Sequence, residues 1–300
     1  MEIDRRAFVT ALGAAVAASP TAAEGSRPVA GAGLAPAGPS PYASYASGWS
    51  RGLRPVAGAG LAPAGAASGQ ADAVEGIEAF AFDAYGTLFD VFSVTALCEE
   101  LFPGNGDALA QRWRAKQLQY SLLRSLMGRH RDFWLVTGDA LVYAARSLEL
   151  DLTAARRAQL MDAYLSLEAF PDVRPGLEAL GARGVRLAIL SNGEPRMLEA
   201  AARSAGIDTL LDTIISVEEV RIFKVSPRVY NLGPERLGVG RSALGFVSSN
   251  AWDIAGAASA GLTTFWIQRR AAEPPEELGF EADRVVAAIT DLPGLLRAAG

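Results

Sequence analysis

Three short polar runs each close an apolar stretch of this 300-residue chain: Asp83-Ala84-Tyr85-Gly86-Thr87, Ser191-Asn192-Gly193 and Ser248-Ser249-Asn250-Ala251-Trp252-Asp253. Lys224 stands in a loop just ahead of a further helix-forming stretch. Asp83 in such a place can act as a nucleophile, forming an ester and splitting one hard displacement into two easier steps. Lys224 can balance carboxylates that converge on it. Asp253 can orient a water or pair with that lysine, and Thr87, Ser191 and Ser248 can donate hydrogen bonds to Asp83 or to a bound carboxylate. Taken singly, each has a plainer reading: a turn aspartate, a solvated lysine, a helix cap, a first-turn acid favoured by the helix dipole. Their arrival along one edge is what makes a site.

The rest of the inventory narrows the chemistry. One histidine, His130, and one cysteine, Cys98, exclude a multi-histidine metal site, a cysteine zinc cluster and an internal disulfide. They also leave little room for a Ser-His-Asp triad. A formal net charge of -5 argues against a nucleic-acid partner held by phosphate contacts. Half of the residues are hydrophobic, enough to bury a sizeable core. Carboxylates, lysine, arginine and hydroxyls must carry any reaction.

These residues need elements to hold them. A buried strand is predicted over Ile77–Phe82, delivering Asp83 into a Gly-Thr turn. Helices are predicted over about 93–102, 107–127, 132–149 and 153–168, with Leu118, Leu122, Leu123 and Leu126 at helical spacing. After Pro171 the pattern alternates. Helices near 174–183, 195–205, 227–237 and from Trp252 precede strands at Val185–Leu190, Thr213–Val217, Leu244–Ser248 and Thr263–Ile267. Such alternation implies βαβ units: an α/β fold with a doubly wound parallel sheet. The helical run between the first two strands reads as an inserted cap domain, giving a core of 77–90 and 171–300 and a cap of 91–170. Ligands of such sheets bind at the carboxyl ends of strands, where the polar runs lie.

The first 76 residues read differently. Arg5-Arg6, the apolar pair Phe8-Val9 and the small-residue run Thr10–Ser19 resemble a twin-arginine export signal over 1–23. That implies a periplasmic mature protein, or a cytoplasmic one if the signal does not function. The run is too short for a permanent membrane span, so no membrane partner is expected of the mature form. Residues 24–76 are rich in Gly, Ala, Pro and Ser, and Arg27–Gly38 recurs letter for letter as Arg54–Gly65. This stretch reads as a disordered linker, since it cannot bury enough surface to offset its ordering entropy.

The segments Phe82–Asp90, Trp113–Tyr120, Leu187–Gly193 and Ser248–Asp253 together resemble the haloacid dehalogenase superfamily, and within it the type II (S)-2-haloacid dehalogenases. The likeness runs from about Ile77 to Ile267. It implies hydrolysis of a small (S)-2-halocarboxylic acid to the (R)-2-hydroxy acid and halide, through an ester on Asp83. By the same resemblance Arg114 faces the departing halide, with Asn192 helping. Ser191 and the backbone amides of Ala84 and Tyr85 hold the substrate carboxylate. Lys224, Tyr230, Thr87, Ser248, Asn250 and Asp253 hold Asp83 and support the hydrolytic water, while Phe133 and Trp252 line the pocket. The family's apolar cap helices suggest a homodimer.

Phosphatases of the superfamily place a second aspartate two residues after the nucleophile, to protonate an alkoxide; here that residue is Tyr85. Halide leaves without a proton. Ser248, Ser249 and Asn250 thin the carboxylate-rich motif that holds Mg²⁺ in phosphatases, leaving Asp253, so neither metal nor cofactor is expected. Ala84, Phe92, Ala115 and Val225 depart from the close family pattern, and Gly233-Pro234 is expected to interrupt the helix after Tyr230. Two rivals stand beside the main reading: a metal-dependent phosphatase or other hydrolase on the same scaffold, and a non-catalytic binding protein for small carboxylates.

Overall fold

The computed structural model describes residues 73–269 and 274–297. The export signal and the repeat fall outside the described residues, as does the linker up to residue 72. At its described end the linker expectation is corrected. Val74 is paired, donating to the Leu295 carbonyl at 2.7 Å and bridging Leu296 in parallel.

A parallel sheet of six strands forms the centre, in the order β3-β2-β1-β4-β5-β6. The strands are β1 (Ala79–Phe82), β2 (Arg186–Ser191), β3 (Thr213–Ser216), β4 (Leu244–Ser248), β5 (Thr263–Ile267) and β6 (Arg284–Val286). β1 is Ala-Phe-Ala-Phe, every residue buried, as a strand covered on both faces requires. It pairs with β2 from Ala79 opposite Arg186 and with β4 from Ala79 opposite Leu244. The order reverses around β1, so its carboxyl end is the switch point where doubly wound sheets bind ligands. β6 had no expectation. It is short, with Val285 56% exposed, and too brief for period-2 patterning to register.

Of the five helices between β1 and β2, the first four form the insertion: α1 (Thr95–Leu101), α2 (Gly106–Leu126), α3 (Phe133–Ser147) and α4 (Ala154–Ala163). Asp132 caps α3 by accepting from the Leu135 amide, and Thr153 caps α4 by accepting from Arg156. α4 ends at Ala163 rather than near 168. The following residues are used in the return to the sheet, where Asp90 N donates to Glu168 O and Phe89 bridges Ala169.

On the core, α5 (Val173–Gly181), α6 (Pro195–Ser204), α7 (Pro227–Leu237), α8 (Ala251–Ser259) and α9 (Leu292–Leu295) follow. The expected break at Gly233-Pro234 does not occur. α7 runs through Pro234, and a Cβ at Gly233 would sit 2.6 Å from Leu244 Cδ2. The glycine there serves close packing of α7 on β4, which outweighs the hydrogen bond that Pro234 forgoes.

Candidate active site

Asp83 follows β1 directly and is 5% exposed. Each of its carboxylate oxygens is held. Oδ1 accepts from Lys224 Nζ at 2.8 Å. Oδ2 accepts from the Asn250 side-chain amide at 2.9 Å and from the Thr87 hydroxyl at 3.1 Å. Lys224 Nζ also donates to Asp253 Oδ2 at 2.8 Å, and Tyr230 donates to Asp253 Oδ1 at 2.7 Å. One ammonium thus bridges two carboxylates in a site where all three side chains are nearly sealed from water.

Burial alone would lower the Lys224 pKa, but the carboxylates of Asp253 and Asp83 more than offset it and hold the ammonium above its ordinary range. Burial lifts the Asp253 carboxyl, with Lys224 pulling it back. It also drives the Tyr230 hydroxyl well up, reinforced by Asp253. Low local dielectric strengthens each of these pairings and makes each costly to break.

The β2 turn supplies the opposite wall. Asn192 Oδ1 accepts from the Lys224 amide at 2.9 Å, leaving its side-chain nitrogen toward the cavity that it lines with Lys224. Ser191 is fully buried, and its oxygen accepts from Gly193 N at 3.2 Å, so its hydroxyl proton stays available for another acceptor. Ser248 corrects the expectation. Its oxygen accepts from Asn250 N at 3.1 Å and does not meet Asp83, because it caps the turn that aims Asn250.

From α2, Arg114 reaches down to the β1 loop. It donates to the Tyr85 carbonyl at 3.1 Å and to Gln117 Oε1 at 2.7 Å. Burial lowers its pKa, against the pull of Tyr164 and Asp83. Gln117, one helical turn on, donates to the Thr137 hydroxyl at 2.7 Å, which donates to the Phe133 carbonyl at 2.7 Å. Ala84 is fully buried beneath this loop. The Tyr85 ring stacks on Phe133 at 5.5 Å between centroids. Its hydroxyl is buried without a protein partner, and burial raises its pKa strongly. Trp252 and Leu118 separate two cavities. One of about 550 Å³ is lined by Asn192, Lys224 and the apolar Leu122 and Val225. The other, of about 440 Å³, is lined by Arg114, Asn250, Phe92 and Arg269.

The structure therefore gathers Asp83, Thr87, Lys224, Tyr230, Asn250 and Asp253 into one network, with Arg114, Tyr85, Phe133, Ser191, Asn192 and Trp252 around it. Gln117, Thr137, Ser249 and Arg269 had no assigned task. Ser249 Oγ donates to the Gly86 carbonyl at 2.5 Å. Gln117 lies three residues after Arg114, on the same helix face, and Arg269 lies just past a strand's carboxyl end; those two signals could have found them. No group of three or more His, Cys, Asp or Glu among the described residues could hold a metal ion. The space between Asp83 and Asp253 is occupied by a cationic side chain.

The arrangement can present a carboxylate to an electrophilic carbon, hold an anion near Arg114, Ser191 and Asn192, and keep a second carboxylate near the ester that results. Known proteins are similar to the chain as a whole. The chain is 49% identical over 198 residues to an (S)-2-haloacid dehalogenase of Pseudomonas sp. (strain YL), covering 66% of this chain and 84% of that one. A crystal structure of an L-2-haloacid dehalogenase matches with a TM-score of 0.71 at 47% identity, covering 72% of this chain and 97% of the other. The Xanthobacter autotrophicus L-2-haloacid dehalogenase with chloropropionic acid covalently bound matches at 39% identity and a TM-score of 0.71, covering 75% of this chain and all of the other. The model of the haloacid dehalogenase-like hydrolases matches residues 77–261. With that match over more than half its length, the chain belongs to the haloacid dehalogenase-like hydrolases.

Proposed function

We propose that this chain is a hydrolytic dehalogenase that converts (S)-2-haloacids to (R)-2-hydroxy acids and halide. The observation that carries this reading is the set of partners of Asp83 beside Lys224: the Thr87 hydroxyl at 3.1 Å and the Asn250 amide at 2.9 Å, the amide from a motif in which a phosphatase would carry metal-binding carboxylates. Tyr85 adds to it, since no acid follows the nucleophile to protonate a basic leaving group.

A carboxylate oxygen of Asp83 attacks C2 of the substrate from the face opposite the halogen. The C–O bond forms, the carbon–halogen bond breaks, and halide departs with the bonding pair towards Arg114 and the Asn192 amide. Ser191, with the backbone amides of Ala84 and Tyr85, holds the substrate carboxylate. Phe133 and Trp252 enclose the halogen and alkyl group. Water then adds to the Asp83 ester carbonyl. Asp253, whose basicity burial raises, accepts one proton of that water. Collapse of the adduct breaks the bond to the C2 oxygen, which takes this proton back as the hydroxy acid leaves, and Asp83 gives its remaining proton to solvent to return as a carboxylate. Thr87 and Asn250 keep Asp83 in register throughout. The covalently bound chloropropionic acid of the Xanthobacter autotrophicus relative supports the ester step.

Two further readings belong to this proposal. A homodimer is proposed from the apolar face that α2 and α3 expose at Leu122, Leu126, Met127 and Leu135. Export to the periplasm is proposed from Arg5-Arg6 and the apolar run behind it.

The test is to incubate the protein with (S)- or (R)-2-chloropropionate in the presence of a chelator and measure chloride. Chloride from the (S) enantiomer alone is expected. No chloride from either would sink the reading, equal rates from both would remove its stereochemistry, and chelator-sensitive release of phosphate from small esters would favour the phosphatase.

A further inference from the structure

Where the helical insertion leaves and rejoins the core, its two connecting segments pair. Asp90 N donates to Glu168 O at 2.8 Å, and Phe170 N donates to Leu88 O at 3.1 Å. One core side chain grips both segments. Arg269, just past the carboxyl end of β5, donates from Nη2 to the Thr87 carbonyl at 2.7 Å, on the outgoing side. Its Nη1 donates to Asp172 Oδ1 at 2.6 Å, and its guanidinium lies 4.1 Å from the ring centre of Phe170, both on the returning side. Asp172 is itself anchored, since its Oδ2 accepts from Ile289 N at 2.7 Å. The arginine and the aspartate are each only 15% exposed, so this is not a solvated surface pair.

We infer that Arg269 is a positioning residue for Asp83, acting through Thr87. The loop that carries the nucleophile presents three successive carbonyls, each fixed by a different side chain. Tyr85 O is held by Arg114 and Asn250, Gly86 O by Ser249, and Thr87 O by Arg269. Thr87 in turn donates its hydroxyl to Asp83 Oδ2. Gly86 has φ +95°, which glycine adopts freely and which lets the loop turn so that its carbonyls face these side chains. Arg269 is the anchor at the Thr87 end of the loop. It ties the nucleophile loop to the neck of the insertion whose α2 bears Arg114. A planar guanidinium serves two acceptors from two separate nitrogens and stacks on the Phe170 ring, whereas a lysine would have to meet both from a single nitrogen and would lose the planar stacking. The inference rests on Asp83 being the nucleophile of the proposed reaction.

The experiment uses the full chain and the variants Arg269→Gln, Arg269→Lys and Asp172→Asn, with kcat and KM for chloride release from (S)-2-chloropropionate measured separately beside thermal midpoints. A nucleophile loop displaced by a fraction of an ångström at Thr87 reacts more slowly, while Ser191 holds the substrate carboxylate from β2 and the Ala84-Tyr85 end of the loop keeps its own anchors in Arg114 and Asn250. Arg269→Gln is expected to lower kcat by about tenfold or more and to leave KM within about twofold. Arg269→Lys is expected between it and the wild type, and Asp172→Asn to shift kcat in the same direction by less. If Arg269→Gln does not fold, the other two carry the same test. A kcat within about twofold of wild type in Arg269→Gln, or in both milder variants where that one is lost, overturns the inference, as does a loss confined to KM. Failure of the wild-type protein itself to release chloride would instead overturn the proposed function, so the two failures are told apart.

Discussion

Asp83 is held by three donors; Thr87 and Asn250 were legible in polar runs that close strands, and Lys224 in a loop just ahead of a helix. Ser248 was read as one of these and is not, since its neighbour Asn250 makes the contact and Ser248 only supports the turn. Spacing along the chain placed Ser248 and Asn250 in one cluster but did not show that only Asn250, two residues on, meets Asp83 directly while Ser248 acts through it. Gln117 was not legible as a working residue, because a glutamine on a helix is ordinarily solvated. Here it is fully buried, accepting from Arg114 and donating to Thr137. Replacing it as Gln117→Leu removes the acceptor of a buried cation and leaves the Thr137 hydroxyl without that donor, at a cost of about 1.5–3 kcal/mol where a charged group loses its partner. If Arg114 depends on that anchor, kcat/KM for (S)-2-chloropropionate should fall about tenfold or more, and Gln117→Glu, which keeps the acceptor, should restore most of it. Unchanged steady-state kinetics in Gln117→Leu would show that Arg114 needs no such support.

At the scale of elements, the sheet and its helices were read from the alternation of apolar runs with helical periods, and the described strands β1 to β5 fall where expected. What escaped was set by tertiary contact. α7 continues through Pro234 because Gly233 packs against Leu244, and α4 stops early because its downstream residues pair with the outgoing neck. The insertion's helices also carry the assembly proposed above. Leu126 is 75% and Met127 62% exposed at the end of α2, and Leu122 and Leu126 are four residues apart, on one face. Several large apolar side chains exposed close together in sequence are what an interaction surface would use. A second copy presenting the same face satisfies two-fold symmetry with no further partner. Sedimentation of the wild type at micromolar concentration should give a dimer mass, and Leu122→Asp with Leu126→Asp a monomer. A monomeric wild type would discard the homodimer and leave the reaction untouched.

Over the whole molecule, the order of the strands constrains how the chain reaches its place of work. β1 comes first in sequence yet lies in the middle of the sheet, and its neighbour β4 is formed by Leu244–Ser248, on the other side of the whole helical insertion. Val74 pairs with Leu296, so the described chain closes on itself only when its last residues are present. The network around Asp83 likewise draws on residues 83, 224, 250 and 253. Contacts so distant in sequence form late and leave apolar strands exposed until they do. A route that carries proteins already folded suits such a topology better than threading, and the proposed signal, Arg5-Arg6 ahead of a short apolar run, resembles those that such a route reads. The single buried thiol, Cys98, has no disulfide to form in either compartment. Replacing Arg5-Arg6 with two lysines keeps the charge and removes the arginine pair. Cell fractionation should then find the dehalogenase activity moved from the periplasm to the cytoplasm, with its kcat unaltered. An unchanged distribution between the two fractions would remove the export proposal.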